Sequence, residues 1–142
     1  MKISAKTEYA CIAILELAAR FQSTAPVRVR DLAAAHGIPA RFLVQILLQM
    51  KAAGLVSSTR GAAGGYQLTR SPEQIRLADV MTVIEGPVVD PAMNVSADTP
   101  ITRVLQSTWC EATNAQQQVL SSVTFADLLE HSQDTGEMMY YI

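Results

Sequence analysis

Val29-Arg30-Asp31-Leu32-Ala33-Ala34-Ala35-His36-Gly37-Ile38-Pro39-Ala40-Arg41-Phe42-Leu43-Val44-Gln45-Ile46-Leu47-Leu48-Gln49-Met50-Lys51-Ala52-Ala53-Gly54 reads as two helices joined by a tight corner. The first runs from about Val29 to Ala35 and stops at His36-Gly37, where glycine suits the left-handed conformation that closes a helix. The second begins at Pro39, because a first-turn residue has no N–H partner to lose. It continues to about Ala53, and Gly54 ends it. Leu43, Ile46, Leu47 and Met50 recur at helical spacing and predict its buried face. Ala40, Arg41 and Gln45, near its start, are expected on the other side.

The period changes after Gly54. Leu55 to Thr59 is β-prone, Arg60-Gly61-Ala62-Ala63-Gly64-Gly65 is a flexible turn, and Tyr66-Gln67-Leu68-Thr69 alternates like a strand, so a β-hairpin is expected. Upstream, Ser4 can cap a helix from about Ala5 to Phe21, with Tyr9, Ile12, Ala13, Leu17 and Phe21 at helical spacing. Helix, short helix, tight turn, helix, hairpin is the order of a winged helix-turn-helix, a mainly α fold with a small β-hairpin wing.

Downstream, Ser71-Pro72 opens a connector and Leu77 to Ile84 predicts a short helix. Gly86 to Pro100 holds three prolines and no periodicity, and is expected to be a loop. A long helix follows from about Ile101 to Ser121, with Ile101, Val104, Leu105, Thr108, Trp109, Ala112, Ala115 and Val119 in one stripe. Thr124-Phe125-Ala126-Asp127 has the form of a capping box for a final short helix, and a loose tail is expected from Asp134. The expected division is a winged unit over 1–86, a loop over 87–100, and a dimerisation helix with tail over 101–142. An apolar stripe outside the winged unit predicts a homodimer through that helix.

Charge is unevenly distributed. The net charge is −2 over 142 residues. Yet residues 27–70 carry six basic side chains (Arg28, Arg30, Arg41, Lys51, Arg60, Arg70) against Asp31 alone, while 71–142 carry ten acids against Arg76 and Arg103. A basic segment in an acidic chain is the footprint of a polyanion partner, the alternative being a solvated basic face. In a helix-turn-helix the start of the second helix can enter a major groove, where Arg41 can bond guanine twice and Gln45 can pair with adenine. Arg60 at a narrow glycine-rich tip, with Arg28 adding charge, suits phosphates or a minor groove. The plainer alternatives are solvent-facing side chains and a simple turn.

Other classes find little support. There is no nucleophile–base pair, no usefully spaced carboxylate pair and no phosphate-binding loop, so an enzyme is not expected. No apolar run approaches a membrane span and Glu8 interrupts the only candidate leader, so neither a span nor a signal peptide is expected. Two cysteines, Cys11 and Cys110, fit a reduced cytoplasmic setting. His36 and His131 have no evident metal partner.

Met1-Lys2-Ile3-Ser4 with Glu8-Tyr9-Ala10, Val29-Arg30-Asp31-Leu32-Ala33, Gly54-Leu55-Val56-Ser57-Ser58, Arg60 through Leu68, and Leu77-Ala78-Asp79-Val80 with Ile84-Glu85-Gly86 together resemble the Rrf2 family of regulators, which includes IscR, NsrR and CymR. The likeness covers residues 1–86 closely and Trp109 to Thr124 more loosely. It implies a sequence-specific transcription regulator, a repressor whose homodimer reads a near-palindromic operator in double-stranded DNA. The alternative is a protein-interaction module of the same fold, regulated by a partner enzyme. On matching positions, the base-reading helix start falls on Pro39, Ala40, Arg41, Phe42 and Gln45. The wing arginine falls on Arg60, and the wing glycines on Gly64 and Gly65, followed by Tyr66. Pro39 and Arg41 replace small hydroxyl residues common in IscR, and Val44 stands where IscR has a base-discriminating glutamate.

Several members of that family hold an iron–sulfur cluster on three cysteines in the loop before the dimer helix. Here that loop has none, so no cofactor is expected, thiolates being the usual ligands. Some relatives recruit a carboxylate or histidine from the partner's first helix. The resemblance therefore leaves open an unusual cluster or redox site from Glu8, Cys11 and Cys110, beside the reading that both cysteines simply pack.

Overall fold

Ser4 starts the first helix in the expected way: the Thr7 N–H donates to its Oγ at 3.1 Å. In the computed structural model, which describes the backbone of residues 1–23 and 25–140 and the side chains of 1–23 and 25–134, helix α1 is Ala5–Ala19. It is followed by α2 (Val29–His36), α3 (Ala40–Ala52), strands β1 (Val56–Thr59) and β2 (Gly65–Leu68), α4 (Leu77–Glu85), α5 (Pro100–Ser122) and α6 (Phe125–Tyr140). The fold is the mainly helical one expected, with one hairpin among the described residues. Among the described residues, no helix is long and apolar enough to cross a membrane.

The core forms where α1, α2, α3 and the base of the hairpin converge. Ile14, Leu32, Leu43, Ile46, Leu47, Met50, Val56, Ile75, Val80 and Phe125 are almost wholly removed from water. The buried face of α1 is Thr7, Ala10, Ala13, Ile14, Leu17 and Ala18. Tyr9 and Ile12, expected at its centre, lie on its half-buried flank, and Phe21 falls past the helix end, 40% exposed. The small alanines let neighbouring helices approach closely, so the aromatic side chains move to the margin.

Two long-range features close the unit. Ser4 and Thr7 both donate side-chain hydrogen bonds to Glu85 Oε1, the former at 2.5 Å, tying the start of α1 to the end of α4. Those hydroxyls, with Lys6 nearby, hold the Glu85 carboxyl below its ordinary range. Beyond α5, Thr124 bridges Arg76: Leu77 N–H donates to Val123 O and Phe125 N–H to Ile75 O, each at 2.9 Å. The capping box is present, with Thr124 N–H donating to Asp127 Oδ2 at 3.0 Å and Asp127 N–H to Thr124 Oγ1 at 3.1 Å.

The C-terminal part differs from expectation. In place of a short helix and a loose tail from Asp134, α6 continues to Tyr140; residues 141–142 lie outside the described residues. No proline follows Asp134, and the lone Gly136 costs a helix only about 1 kcal/mol relative to alanine. Helix α6 packs along α1, and Phe125 is 0% exposed within the same core as Ile75. A boundary at residue 86 thus leaves outside the winged unit a side chain that fills its centre.

Candidate nucleic-acid interface

The corner between α2 and α3 is built by Gly37, whose φ of 67° is left-handed and which a side chain would strain. The Ile38 N–H then donates back to Ala33 O at 3.0 Å, and Ile38 is buried beneath the corner. Pro39 sits just before α3 as its capping residue, one position earlier than the first-turn place expected for it, with φ −60° and ψ 120°. Its carbonyl accepts from Leu43 N–H at 3.1 Å.

Leu43, Ile46, Leu47 and Met50 are all buried, as their spacing predicts. At about 100° per residue, Arg41, Gln45 and Leu48 therefore point most directly away from the core. Ala40, Arg41, Phe42, Val44, Gln45 and Leu48 are all exposed. Both flanks of α3 are tied down: Gln49 Nε2 donates to Val83 O of α4 at 2.8 Å, and Lys51 Nζ to Ser58 Oγ of β1 at 2.6 Å. These bonds and the buried face set the helix's rotation about its own axis, hence which side chains are presented. Phe42 and Gln45 also line a cleft of about 400 Å³ with Ala5, Lys6, Tyr9 and Ile46 of α1 and α3.

The wing pairs Val56 with Leu68, Ser57 with Gln67, Ser58 with Tyr66 and Thr59 with Gly65. Sequence reading missed a third partner. Val27 and Tyr66 exchange backbone hydrogen bonds of 2.9 and 2.8 Å, so the approach to α2 edges the hairpin. The missed signal was Val27 standing alone as a β-prone residue between Pro26 and Arg28. The wing glycines serve this packing. A Cβ on Gly65 would lie 2.4 Å from Val27 O, and one on Gly64 would lie 2.1 Å from Thr59 O. Gly64 is buried and Tyr66 half-buried against the core, so these residues shape the wing. Arg60 stands exposed where the hairpin turns. The exposed Arg28 donates its guanidinium to Ala62 O, linking the start of α2 to the wing tip. Arg28, Arg41, Lys51 and Arg60 are thus exposed cations distributed over α2, α3 and the wing.

Helix α5 presents the expected stripe outward. Ile101, Val104, Leu105, Trp109 and Val119 are 81, 69, 43, 45 and 62% exposed, and Thr108 and Ala112 are exposed with them. Over 23 residues its one buried side chain is Leu120.

Glu8 is exposed on α1; Cys11 and Cys110 are half-buried free thiols. Burial pushes the Cys11 thiol up to about 11. His36 closes α2 with Nε2 3.5 Å from Glu16 Oε1, and His131 is exposed on α6. Among the described residues, no three His, Cys, Asp or Glu side chains of one chain come together as metal ligands.

Residues 3–131 match the Rrf2 family, described as iron-dependent transcriptional regulators. Among the described residues of one chain, no donor set fits an iron site. Rv1287 of Mycobacterium tuberculosis is 40% identical over 131 residues, 90% of this chain and 81% of its own length. The HTH-type transcriptional regulator CymR of Bacillus subtilis is 34% identical over 143 residues, covering 100% of both chains. Among solved structures, CymR, the global cysteine regulator of B. subtilis, superimposes with a TM-score of 0.80 at 33% identity, over 92% of this chain and 98% of that one. IscR of T. potens superimposes at 0.78 with 31% identity, over 95% and 90%. The corner, outward helix face and wing described here are therefore those of a DNA-binding regulator and not an enzyme, and the chain belongs to the Rrf2 family of transcriptional regulators.

Proposed function

We propose that this regulator works in the cytoplasm as a homodimer that reads a near-palindromic operator and represses by occupying it. The observation that carries the reading is the outward apolar stripe of α5, from Ile101 to Val119, beside a basic helix-turn-helix face. A monomer would leave that stripe in water, and exposed contiguous apolar surface marks an interaction site. Two copies meeting through the same stripe form a closed, self-complementary pair. Its two reading helices then address half-sites about one helical turn, roughly 34 Å, apart. Arg41 and Gln45 read base edges, Ala40 lets the backbone approach, and Arg60 with Arg28 meets phosphates or a minor groove. Pro39, Gly64, Gly65 and Tyr66 hold those groups in place.

The same proposal has the protein binding DNA without an iron–sulfur cluster. Its support is the cysteine-free sequence of residues 86–100, thiolates being the usual cluster ligands. The test is anaerobic purification followed by titration against duplexes selected from a random pool. The expected product is colourless, and two protomers bind each selected duplex. Stoichiometric iron and sulfide, lost on Cys110→Ala, would overturn the cofactor reading. One protomer per duplex would overturn the dimer.

A further inference from the structure

The outward face of α3 is not uniformly polar. Val44 is 41% and Leu48 52% exposed. They stand four residues apart on one helix, so their side chains touch or nearly touch and make one apolar strip. The strip lies within about 60° of Arg41 around the helix axis. A single exposed valine or leucine is ordinary on a protein surface. Two adjoining ones beside Arg41, on a face whose other charges suit a polyanion, call for an apolar partner within a polar ligand. Helix α3 cannot roll to hide them, since Gln49 is bonded to Val83 O and Lys51 to Ser58 Oγ on its two flanks. Phe42 is a separate case, because it lines the cleft against Ala5, Lys6 and Tyr9.

Base edges in a major groove offer hydrogen-bond donors, acceptors and one apolar group, the C5 methyl of thymine. We propose that Val44, backed by Leu48, reads a thymine methyl in each operator half-site, next to the base pair addressed by Arg41. This rests on the reading of α3 as the major-groove helix and adds the class of base pair it selects. Val44 is placed for the contact by its position one turn into the helix, where side chains still reach base edges. Leu48, a turn further along, widens the apolar surface and excludes water from the methyl.

The test uses the full-length protein and a duplex selected by it from a random-sequence pool. Each thymine is replaced singly by deoxyuridine, which removes only the methyl. At one or two positions per half-site the wild-type protein is expected to lose affinity about fourfold, the value of one buried methyl-sized group. Val44→Ala should bind the thymine duplex less well by a similar factor and be indifferent to uracil at those positions. Its thermal melting should match the wild type, since Val44 is outside the core. Indifference of the wild type to every replacement, or undiminished uracil sensitivity in Val44→Ala, overturns the proposal even while Arg41→Ala still impairs binding. If Arg41→Ala binds every duplex as the wild type does, the major-groove assignment of α3 falls and the methyl contact with it.

Discussion

The winged unit and helix α5 solve opposite problems with similar residues. In the winged unit, apolar side chains at helical spacing face inward: Leu43, Ile46, Leu47 and Met50 of α3 are all buried. In α5 the same kind of spacing faces outward, with Ile101, Val104 and Val119 each more than half exposed. Periodicity thus says that a helix has an apolar side but not what covers it. The neighbours decide. Helix α3 is surrounded by α1, α2, α4 and β1, whereas α5 meets chiefly α4.

The largest expected effect tests whether the winged unit is complete without its C-terminal contribution. Phe125→Ala removes a fully buried aromatic side chain and should lower stability by about 3–5 kcal/mol, measured by urea denaturation. A loss below about 1 kcal/mol would mean that α6 does not share the core. Next comes the outward stripe. Replacing both Val104 and Leu105 with glutamate places charge on side chains that are 69 and 43% exposed in the single chain. Light scattering should then report monomers, and operator affinity should fall by about a hundredfold as the two half-sites cease to be read together. An unchanged dimer would place the interface elsewhere.

Smaller effects compare reading with anchoring inside the winged unit. Arg41→Ala should cost about 1–3 kcal/mol and relax discrimination at one base pair. Arg60→Ala should weaken all duplexes alike and flatten the salt dependence by about one unit of slope. Titrations of both variants against single-base operator variants at several salt concentrations distinguish them, and identical profiles would erase the distinction. The smallest effect concerns Cys11. Its folded thiol titrates at about 11 against an ordinary 9.0 because burial opposes the thiolate. The unfolded chain therefore loses that proton first. The contribution is fully present below pH 9 and is lost as pH rises from there through 11. Stability should fall across that window, and Cys11→Ala should remove part of the decline, as followed by denaturation at pH 8, 9, 10 and 11.

Local chemistry made much of this legible. Gly37 after His36, the glycine turn at 60–65 and the Thr124–Asp127 box each rest on a few adjacent residues, and each is found in the structure. The outward side of α3 followed from its apolar spacing. What escaped depends on distant partners. The exchange between Val27 and Tyr66, the Ser4–Thr7–Glu85 bonds and the return of α6 onto α1 join residues far apart in the chain. For the same reason the packing that excludes a side chain at Gly64 and Gly65 rests on backbone atoms of Thr59 and Val27 that the sequence does not show beside them.

The burial of Phe125 against Ile75 also bears on the order in which the molecule is made. The ribosome delivers α1 through α4 first, then α5, and only afterwards the residue that fills the centre of the unit already synthesised. Contacts of such sequence separation form late and slowly. A nascent chain therefore exposes the outward stripe of α5 before its DNA-binding half has closed. The acquisition of a finished reading head waits on the first turn of α6.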